Sequence, residues 1–416
     1  MAPVATEAQR SNVQDESTIK DLKAKIHSEN NEKVIQSFNP FYSPSIADDG
    51  DKTYEYERYK PSFPVVDWEP LEPFDVTDRG HSADPEKRSL LSAATKVTQL
   101  TPVIGVEIEG VDLTQLSDTQ KDELALLAAE RGVVFFRNQS IDIHQQLELG
   151  RHYGPLHKHA TTPVPREPGL EEVHVVYNDS SRRPDPAAFS KLELWHSDVS
   201  YELQPPSTTS LKGITIPPTG GDTLFSSGYA LYSSLSPGFQ TYLEGLTAVH
   251  SAKAQADGSR AAGLHVRRQE VETVHPLVRV HPVTGWKSVY VNPGFTRRIV
   301  GVPKAESDAI LSFLFHQISE NPDFQVRFRW ERDSIAIWDN RIVTHSATFD
   351  FWPHRRHALR ATPHGERPLS VADYESKFGK KALDRQQEIW KAHGVEDPLN
   401  KARNAGANSR PTGYND

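Results

Sequence analysis

The feature that most constrains the fold is a set of short β-rich runs in the second half of the chain. They are SVYVN at 288–292, FQVRFRW at 324–330 and SIAIWDN at 334–340. Apolar residues alternate strictly through the second run, which is the period of two expected of a strand with one buried face. An earlier run, VVFF at 133–136, is apolar throughout, as in a buried strand. Strands this short and numerous favour a mostly β fold, a sandwich or jelly roll with helical cover.

Helix signals lie between these runs and would supply that cover. In SDTQKDELALLAAERG, Ser117 is the expected N-cap, Gln120 completes a capping box and Gly132 ends the helix. Asp142 is expected to cap a second helix that continues through Tyr153. Similar signals predict later helices at Pro237–Gly245, Pro303–Ile318 and Ala382–His393.

A change of composition at both ends divides the chain into three parts. Residues 1–94 are polar, charged and rich in proline, and they lack a periodic apolar face, so we expect a partly disordered N-terminal arm. Within this arm a short helix is predicted near Asp21–Gln36, and the aromatic stretch Tyr54–Phe74 is expected to lie across a folded surface. Residues 95–368 form the predicted domain, and residues 369–416 form a C-terminal helix and tail.

Charge and composition exclude several classes of protein. Lys and Arg number 47 against 56 Asp and Glu, and the net charge of −9 is unfavourable for binding nucleic acid. The chain contains no cysteine, which excludes disulfides, thiolate metal sites and cysteine nucleophiles. The sequence has neither a secretory signal nor a run of about 18 apolar residues, so it predicts a cytoplasmic protein without a membrane partner.

The stretch LELWHSDVSY places His196 and Asp198 two residues apart, and hence on one face of an extended segment. Two metal ligands at that spacing can bind one ion. A third candidate, His345, follows the run SIAIWDNRIVT, and a cluster of arginines begins ten residues after it. Two histidines and one carboxylate are the ligand set of non-haem Fe(II) oxygenases, but zinc hydrolases use the same set.

The arginine cluster distinguishes these alternatives. A zinc hydrolase has no need for it, whereas an oxygenase that uses 2-oxoglutarate must anchor the distal carboxylate of that keto acid. A bidentate arginine suits a carboxylate better than a lysine does. Since the cluster contains Arg355, Arg356 and Arg360, the residues favour a 2-oxoglutarate oxygenase. His157 and His159 also stand two residues apart, but no carboxylate follows them to complete a rival metal site.

Five stretches together resemble the taurine/2-oxoglutarate dioxygenase (TauD/TfdA) family, and especially its fungal sulfonate dioxygenase branch. In order between about Val97 and Pro368, they are WHSDVSY, PPTGGDTLFSS, HPVTGWKSVYVNPGFTRRIV, FQVRFRWERDSIAIWDNR and HSATFDFWPHRRHALRAT. The His-x-Asp pair alone is a weak signal, whereas the five stretches together are highly specific. The resemblance implies a jelly-roll core of the double-stranded β-helix type.

The resemblance also implies roles for individual residues. His196, Asp198 and His345 match the iron ligands of the family. Thr223 in GGDT and Arg356 match the residues that hold the distal carboxylate of 2-oxoglutarate. On sequence alone, Thr223 is more simply interpreted as a strand-start threonine that bonds its own turn. The expected cofactor is Fe(II), with 2-oxoglutarate and O2 as cosubstrates.

For the substrate, the resemblance implies that Arg360 and His159 bind a sulfonate and that Phe295 walls the pocket, although Phe295 can equally belong to the core. A protonated His159 would favour the anion, so low pH is expected to help binding. Two positions depart from the family member that acts on taurine, since Thr162 replaces a tyrosine and Leu192 replaces an asparagine. The residues expected to contact the sulfonate therefore match the family, whereas the region expected to contact the amine of taurine differs. This difference argues against taurine itself as the substrate.

The implied activity is hydroxylation of the carbon next to sulfur in an alkanesulfonate, which gives an aldehyde, sulfite, succinate and CO2. One alternative is a related oxygenase that acts on an alkyl sulfate, a carboxylate or a biosynthetic intermediate. Another is a non-catalytic sensor on the same fold. The proline- and serine-rich stretch Asp179–Ser190 is a candidate lid. The residues are compatible with a homo-oligomer and leave the subunit number open.

Overall fold

The computed structural model describes residues 48–181, 183 and 190–395. The helix predicted near Asp21–Gln36, most of the candidate lid and the C-terminal tail lie outside the described residues. The α-helices in the described part are α1 Arg88–Ala93, α2 Asp118–Arg131, α3 Ile143–Tyr153, α4 Gly228–Ser234, α5 Pro237–Glu244, α6 Lys253–Ala261, α7 Lys304–Glu320, α8 Val371–Phe378 and α9 Arg385–Ala392. None of these helices is both long and apolar enough to cross a membrane.

The strands in the same part are short. In chain order they are β1 Pro61–Ser62, β2 Lys96–Gln99, β3 Val106–Glu109, β4 Val133–Phe136, β5 Val164–Pro165, β6 Val173–Asn178, β7 Thr208–Thr215, β8 Thr223–Ser227, β9 Thr247–Ser251, β10 Glu272–Pro276, β11 Val278–Val280, β12 Lys287–Val289, β13 Thr296–Ile299, β14 Gln325–Phe328, β15 Ile335–Asp339, β16 Val343–Ala347 and β17 Arg356–Ala361.

The helix ends predicted from capping residues are confirmed. Ser117 and Gln120 form a capping box at the start of α2, and Gly132 follows its last residue. The φ of Gly132 is 77°, a left-handed conformation that glycine adopts at little cost. Asp142 caps α3, which ends at Tyr153 as predicted. The later predicted helices appear as α5, α7 and α9, with ends that differ from the prediction by at most three residues.

Seven strands form the main sheet in the order β2-β3-β4-β15-β7-β17-β6. Its neighbours are antiparallel except for β3 and β4. Val133 and Phe135 of β4 contribute to the core on one face of this sheet, while Val134 and Phe136 contribute to the core on the other, beneath α2 and α3. A strand buried on both faces needs apolar residues at every position, which explains the run VVFF.

A second sheet, in the order β14-β8-β16, packs on the face of the main sheet that α2 and α3 leave uncovered. Phe225, Phe328 and Val343 of this smaller sheet share one buried cluster with Phe135 and Trp338 of the main sheet. The rings of Phe135 and Phe328 stack with their centroids 4.0 Å apart. The predicted combination of many short strands with helical cover is thereby confirmed.

Residues 48–60, here called the strap, lie against β6 and β17 at the edge of the main sheet. Tyr54, Tyr56 and Tyr59 of the strap pack on the buried cluster to which these two strands contribute. Further along, the backbone amide of Phe74 donates to Oε1 of Gln204 at 2.9 Å. The expectation that the stretch Tyr54–Phe74 lies across a folded surface is confirmed.

Candidate active site

The two histidines predicted as metal ligands face each other across a short backbone bridge. The amide of His196 donates to the carbonyl of His345 at 3.0 Å, and the amide of His345 donates to the carbonyl of His196 at 2.8 Å. Directly opposed residues of an antiparallel pair project from the same face. The ring centroids of the two histidines are accordingly 4.3 Å apart.

Asp198 completes the cluster. Its Oδ1 lies 3.6 Å from Nε2 of His196 and 3.6 Å from Nε2 of His345. Ligand atoms of all three residues lie within 4.8 Å of one another. Metal–ligand bonds of about 2.1 Å at a right angle separate the two ligand atoms by about 3 Å. The three groups therefore suit a single ion after a small contraction.

Hydrogen bonds behind the cluster orient these ligands. Nδ1 of His196 lies 2.8 Å from the carbonyl of Leu194. A carbonyl only accepts, so the proton of the ring is on Nδ1 and Nε2 is left as the coordinating atom. The backbone amide of Asp198 donates to Oδ1 of Asn340 at 3.1 Å, and the indole of Trp338 donates to the same oxygen. The sequence analysis gave no role to Asn340, although it stands in the quoted run SIAIWDN.

Buried polar atoms in the cluster provide a test of whether a metal fits. Both ring nitrogens of His345 and Oδ2 of Asp198 are buried without a hydrogen-bond partner among the described residues. Leaving such a group unpaired costs about 1–3 kcal/mol, and a bound cation would satisfy several of them at once. The residues therefore fit a metal ion.

The protonation states of the cluster point the same way. Burial alone would raise the pKa of Asp198, but Arg360 and His345 hold this pKa below its usual range, so the group is a carboxylate. Burial, with His196 beside it, holds the pKa of His345 well below its ordinary value, so the ring is neutral. A carboxylate with neutral imidazoles is the donor set that Fe(II) requires.

The backbone is strained directly after Asp198. Val199 has a φ of 37°, a left-handed conformation that β-branched residues rarely adopt. Strain of this kind costs on the order of 1–3 kcal/mol and persists where the surroundings impose it. Here the hydroxyl of Ser197 donates to the carbonyl of Val343 at 2.7 Å, which ties this turn to the strand that carries His345.

A pocket with an empty volume of about 880 Å³, its open mouth included, lies beside the cluster. Its walls are largely apolar, and the described residues of the candidate lid are not among those that line it. Among the residues that the sequence predicted for the site, the pocket is lined by His159, His196, Asp198, Phe295, Arg356 and Arg360. The fold therefore brings together residues from widely separated parts of the chain.

Arg356, the first residue of β17, is a buried cation with no carboxylate partner among the described residues. Its Nε donates to the carbonyl of Gly221 at 3.1 Å, and its terminal nitrogens make no hydrogen bond within the described part of the chain. Burial, with Arg360 nearby, lowers the pKa of Arg356 to about 10. Because an unpaired buried charge is costly, an anion entering the pocket gains by pairing with it.

Thr223 does not line the pocket. Its buried hydroxyl accepts a hydrogen bond from the indole of Trp330 at 2.9 Å, so it bonds a tryptophan rather than its own turn. The guanidinium carbon of Arg356 is 6.0 Å from the centroid of the Trp330 ring. Thr223 is therefore connected to Arg356 through Trp330, a residue that the sequence analysis quoted without assigning it a role.

Arg360 lies four residues after Arg356 in β17, and therefore on the same face of the strand. Its Nη1 donates to Oδ1 of Asp198. Its guanidinium carbon is 5.3 Å from the centroid of the Trp338 ring. Arg360 thus joins the wall of the pocket to the metal cluster, a link that the sequence analysis did not predict.

The expectation that His159 is protonated is wrong. Its Nδ1 accepts hydrogen bonds from the backbone amides of Thr161 at 3.2 Å and Thr162 at 3.3 Å, so the proton of the ring is on Nε2. Burial, with His157 and His174 close by, holds the pKa of His159 well below its ordinary value. His159 therefore offers an anion a neutral N–H donor, and lowering the pH is not expected to strengthen binding.

His157 does have a carboxylate neighbour, which the sequence analysis missed. Nε2 of His157 lies 3.1 Å from Oε1 of Glu202, 45 residues further along the chain. Arg268 is 3.7 Å from the same carboxylate oxygen. Within the described residues His157 and His159 form no three-ligand group, so the rival metal site is not supported.

The remaining positions singled out in the sequence are Phe295, Thr162 and Leu192, and the first two line the pocket. Phe295 is buried, and its ring centroid is 6.1 Å from that of His196 and 4.9 Å from that of Tyr201, so it is both core and pocket wall. Thr162 lines the pocket, whereas Leu192 is half-buried outside the set of lining residues. Of the two positions that depart from the taurine enzyme, one therefore faces the pocket.

Comparisons with known proteins agree with this geometry. A family model described as "Taurine catabolism dioxygenase TauD, TfdA family" matches residues 96–362. An alpha-ketoglutarate-dependent sulfonate dioxygenase of Saccharomyces cerevisiae is 42% identical over 331 residues, which cover 76% of this chain and 79% of that protein. The alpha-ketoglutarate-dependent dioxygenase cnsP of Penicillium expansum is 43% identical over 328 residues, with 76% and 87% covered.

A solved structure shows the same relationship in three dimensions. The crystal structure of a taurine dioxygenase from Burkholderia xenovorans is 33% identical in sequence and superposes with a TM-score of 0.56. The match covers 67% of this chain and 93% of that one. The residues matched by the family model include all five quoted stretches. The chain belongs to the TauD/TfdA family of dioxygenases.

Proposed function

We propose that this 2-oxoglutarate-dependent dioxygenase hydroxylates the carbon next to sulfur in an alkanesulfonate. The products are an aldehyde, sulfite, succinate and CO2. The observation that carries the proposal is one pocket in which a His-Asp-His cluster meets two arginines, Arg356 and Arg360, on one face of a strand. The relative from Saccharomyces cerevisiae, named a sulfonate dioxygenase, supports the choice of substrate class.

His196, Asp198 and His345 would hold the iron. Two histidines and one carboxylate are the protein ligands that non-haem Fe(II) oxygenases use, and they would leave room on the metal for 2-oxoglutarate and O2. Fe(II) with bound 2-oxoglutarate supplies the oxidation of a substrate C–H bond, coupled to decarboxylation of the keto acid. The contribution of the chain is to keep His345 neutral and Asp198 ionised, which the buried surroundings and Arg360 achieve.

Arg356 would bind the distal carboxylate of 2-oxoglutarate. Its terminal nitrogens are the donors that its contact with Gly221 leaves available. Gly221 itself is required, because a Cβ there would lie 3.0 Å from Cδ of Arg356 at a φ of 71°. Trp330 packs against both Arg356 and Thr223, so the threonine would help to fix the guanidinium from behind.

Arg360 and His159 would bind the sulfonate. Because Arg360 also contacts Asp198, an anion held by this arginine lies next to the metal cluster. The carbon next to sulfur would then be held beside the metal ligands, which would account for attack at that position. His159 contributes through its Nε2–H as a neutral donor.

The rest of the pocket would select the chain of the substrate. Leu194, Val199, Phe295, Phe349 and Phe351 all line it. Apolar walls exclude water from the reacting atoms and favour an apolar chain over a charged one. We therefore favour a sulfonate with a larger or more apolar chain than taurine, in keeping with the sequence departures noted above.

The proposal extends to the fold and the organisation of the chain. The two facing sheets are interpreted as the halves of a double-stranded β-helix, the jelly roll of this family, within a domain of residues 95–368. Residues 1–94 are interpreted as an N-terminal arm and residues 369–416 as a C-terminal helix and tail. A cytoplasmic location and a homo-oligomer stay predictions from the sequence.

The test is an assay of succinate and sulfite across a panel of sulfonates, sulfate esters and carboxylates. Sulfite that requires Fe(II), 2-oxoglutarate and O2, and that His196→Ala abolishes, would establish the function. Succinate without sulfite would identify a related oxygenase with another substrate. Product formed without O2 would indicate a hydrolase, and no product from any compound would favour a sensor.

A further inference from the structure

A third polar side chain, that of His174, lies next to Arg360 and His159, the two residues proposed to bind the sulfonate. His174 is the second residue of β6, and the register of the sheet pairs it with Arg360 of β17. Opposed residues of an antiparallel pair have Cβ atoms about 4.5–5.5 Å apart on the same face. The ring centroid of His174 is 5.6 Å from that of His159. All three side chains line the pocket.

His174 differs in its hydrogen bonding from three buried histidines of the same domain. His275, His357 and His364 each donate a ring N–H to a backbone carbonyl, at 2.9, 3.0 and 2.7 Å. Neither ring nitrogen of His174 has a hydrogen-bond partner in the part of the chain that the structure describes, although the residue is only half exposed. Because His174 lines the pocket, its ring nitrogens are available to a ligand that binds there.

The metal cluster does not account for His174. Among the described residues, only His196, Asp198 and His345 form the three-ligand group at this end of the pocket. His174 instead lies beside Arg360 in the pocket wall, where it can contact the same ligand as Arg360. Its neighbours also determine its charge, because burial and Arg360 hold the pKa of His174 well below its ordinary value. It is therefore a neutral ring with one N–H to donate.

We propose that His174 binds the head group of the substrate together with Arg360 and His159, and that this set of three donors selects for a head group with three terminal oxygens. The inference rests on the proposed function, and it narrows the substrate to a sulfonate or a sulfate monoester. Each donor has its own oxygen on such a head group. A carboxylate has only two oxygens and would leave one half-buried donor poorly paired, which is the kind of mismatch that binding sites reject strongly.

The test uses two substitutions of His174 that separate its donor from its volume. His174→Leu removes the donor and keeps a side chain of similar size, whereas His174→Gln keeps an N–H. We expect His174→Leu to raise the KM for the best alkanesulfonate by about 10- to 100-fold, the usual effect of losing a hydrogen bond to an ion. The KM for 2-oxoglutarate should stay within about twofold, and His174→Gln should recover most of the loss.

Two controls distinguish binding from a structural effect. His144→Leu removes an exposed histidine of α3 outside the pocket and should leave both KM values unchanged. Thermal unfolding and iron content should match wild type in all variants. Anaerobic calorimetry with the sulfonate, after Fe(II) and 2-oxoglutarate are added, should show the same loss of affinity in His174→Leu without any turnover.

Selectivity gives the sharper readout. The ratio of kcat/KM for an alkanesulfonate to that for the carboxylate of equal chain length should fall about tenfold in His174→Leu. An unchanged KM for the sulfonate, or an equal loss for both head groups, would overturn the inference. A wild-type enzyme that releases no sulfite from any sulfonate would overturn the proposed function instead. Sulfite release that His174→Leu leaves intact would overturn only the inference.

Discussion

Within the described residues, two groups of side chains bring potential metal ligands within 4.8 Å of one another. They are His196, Asp198 and His345 in the pocket, and Asp48, Asp49 and Asp179 where the strap meets the end of β6. Proximity alone would make both groups candidates for a metal site. They differ in the charges and hydrogen bonds around them, and that difference decides which one is expected to bind an ion.

Cations of the protein already neutralise the acidic group. Nζ of Lys60, whose side chain is fully buried, lies 2.9 Å from Asp48 and 3.0 Å from Asp49. Arg355 also pairs with Asp49. Asp179 accepts hydrogen bonds from the backbone amide of Asp49 and from the hydroxyl of Tyr177, both at 3.0 Å. A metal ion would have to displace these partners, so this group is better described as the anchor of the strap.

In the pocket group of His196, Asp198 and His345, by contrast, several coordinating atoms are buried without a partner among the described residues. His345 is a buried neutral ring with no hydrogen bond among the described residues, and Asp198 keeps one carboxylate oxygen unpaired in spite of its contact with Arg360. Closeness of ligand atoms therefore does not define a metal site. Unsatisfied coordinating atoms in a buried position do, since a cation relieves their cost.

The largest expected effect contrasts the two groups directly. His345→Ala should lower kcat/KM by at least about a thousandfold and reduce bound iron, because the oxidation depends on the metal. The matched change in the acidic group, Asp48→Asn, should keep iron content and should change activity by less than about threefold. Elemental analysis of anaerobically loaded protein and initial rates measure both. Full iron content in His345→Ala, or its loss in Asp48→Asn, would reverse our assignment.

The next comparison concerns two buried cations. Within the described part of the chain, Arg356 has no carboxylate partner, whereas Lys60 has several. Arg356→Leu should raise the KM for 2-oxoglutarate by about a hundredfold, in line with the loss of a charged, bidentate contact. The ligand-free variant should unfold at the same denaturant concentration as wild type or a higher one, because an unpaired buried charge is removed. An unchanged KM would remove Arg356 from the 2-oxoglutarate site.

Lys60→Met should lower the stability of the fold, in contrast to Arg356→Leu. Removing one partner of a fully buried ion pair costs about 3–5 kcal/mol. The carboxylates around Lys60 are still 18–31% exposed, so we expect a loss of about 2 kcal/mol in the free energy of unfolding. Lys52→Met breaks an exposed pair with Glu57 and serves as the control, with an expected change below about 0.5 kcal/mol. Equal stabilities of the two variants in urea would show that the strap is not anchored by Lys60.

Part of this site could be predicted from the sequence because its signals are local. The two-residue spacing of His196 and Asp198 was enough to identify the pair, although in the structure His196 forms an isolated bridge and Asp198 begins a turn. Capping residues likewise indicated the ends of α2 and α3. His345 was found from its position after a buried strand and before an arginine cluster. In each case, a few neighbouring residues determine the geometry.

The rest depends on contacts between distant segments, which leave no period in the sequence. His157 meets Glu202, and Arg360 meets Asp198, only because the sheets bring them together. The neutral state of His159 has the same origin, since buried histidines around it and two backbone amides determine it. A prediction from the ordinary pKa of histidine was therefore wrong. The position of His174 opposite Arg360 likewise required the register of β6 and β17.

The smallest expected effect concerns the strap and depends on pH. His357 is buried between two tyrosines of the strap, with Nδ1 3.0 Å from the hydroxyl of Tyr54 and Nε2 3.0 Å from the carbonyl of Tyr59. Burial lowers its pKa to about 3. The unfolded chain has the ordinary value of about 6.5, so it binds the proton first as the pH falls. Stability is therefore complete above about pH 6.5 and is lost progressively towards pH 3.

The part of this slope that comes from His357 can be measured by substitution. Near pH 5 the unfolded chain carries a proton on His357 and the folded chain does not, which contributes about 1.4 kcal/mol per pH unit to the change in unfolding free energy. His275 and His364 contribute in the same window, since burial lowers the pKa of each to about 4. In His357→Asn their contributions remain, as do those of the metal cluster. The unfolding free energy from urea titrations between pH 4.5 and 6 should therefore change less steeply with pH than in wild type, by the contribution of about one proton. Parallel curves would mean that His357 is protonated in the folded protein, and the strap would then be held by Lys60 and its carboxylates without help from a neutral histidine.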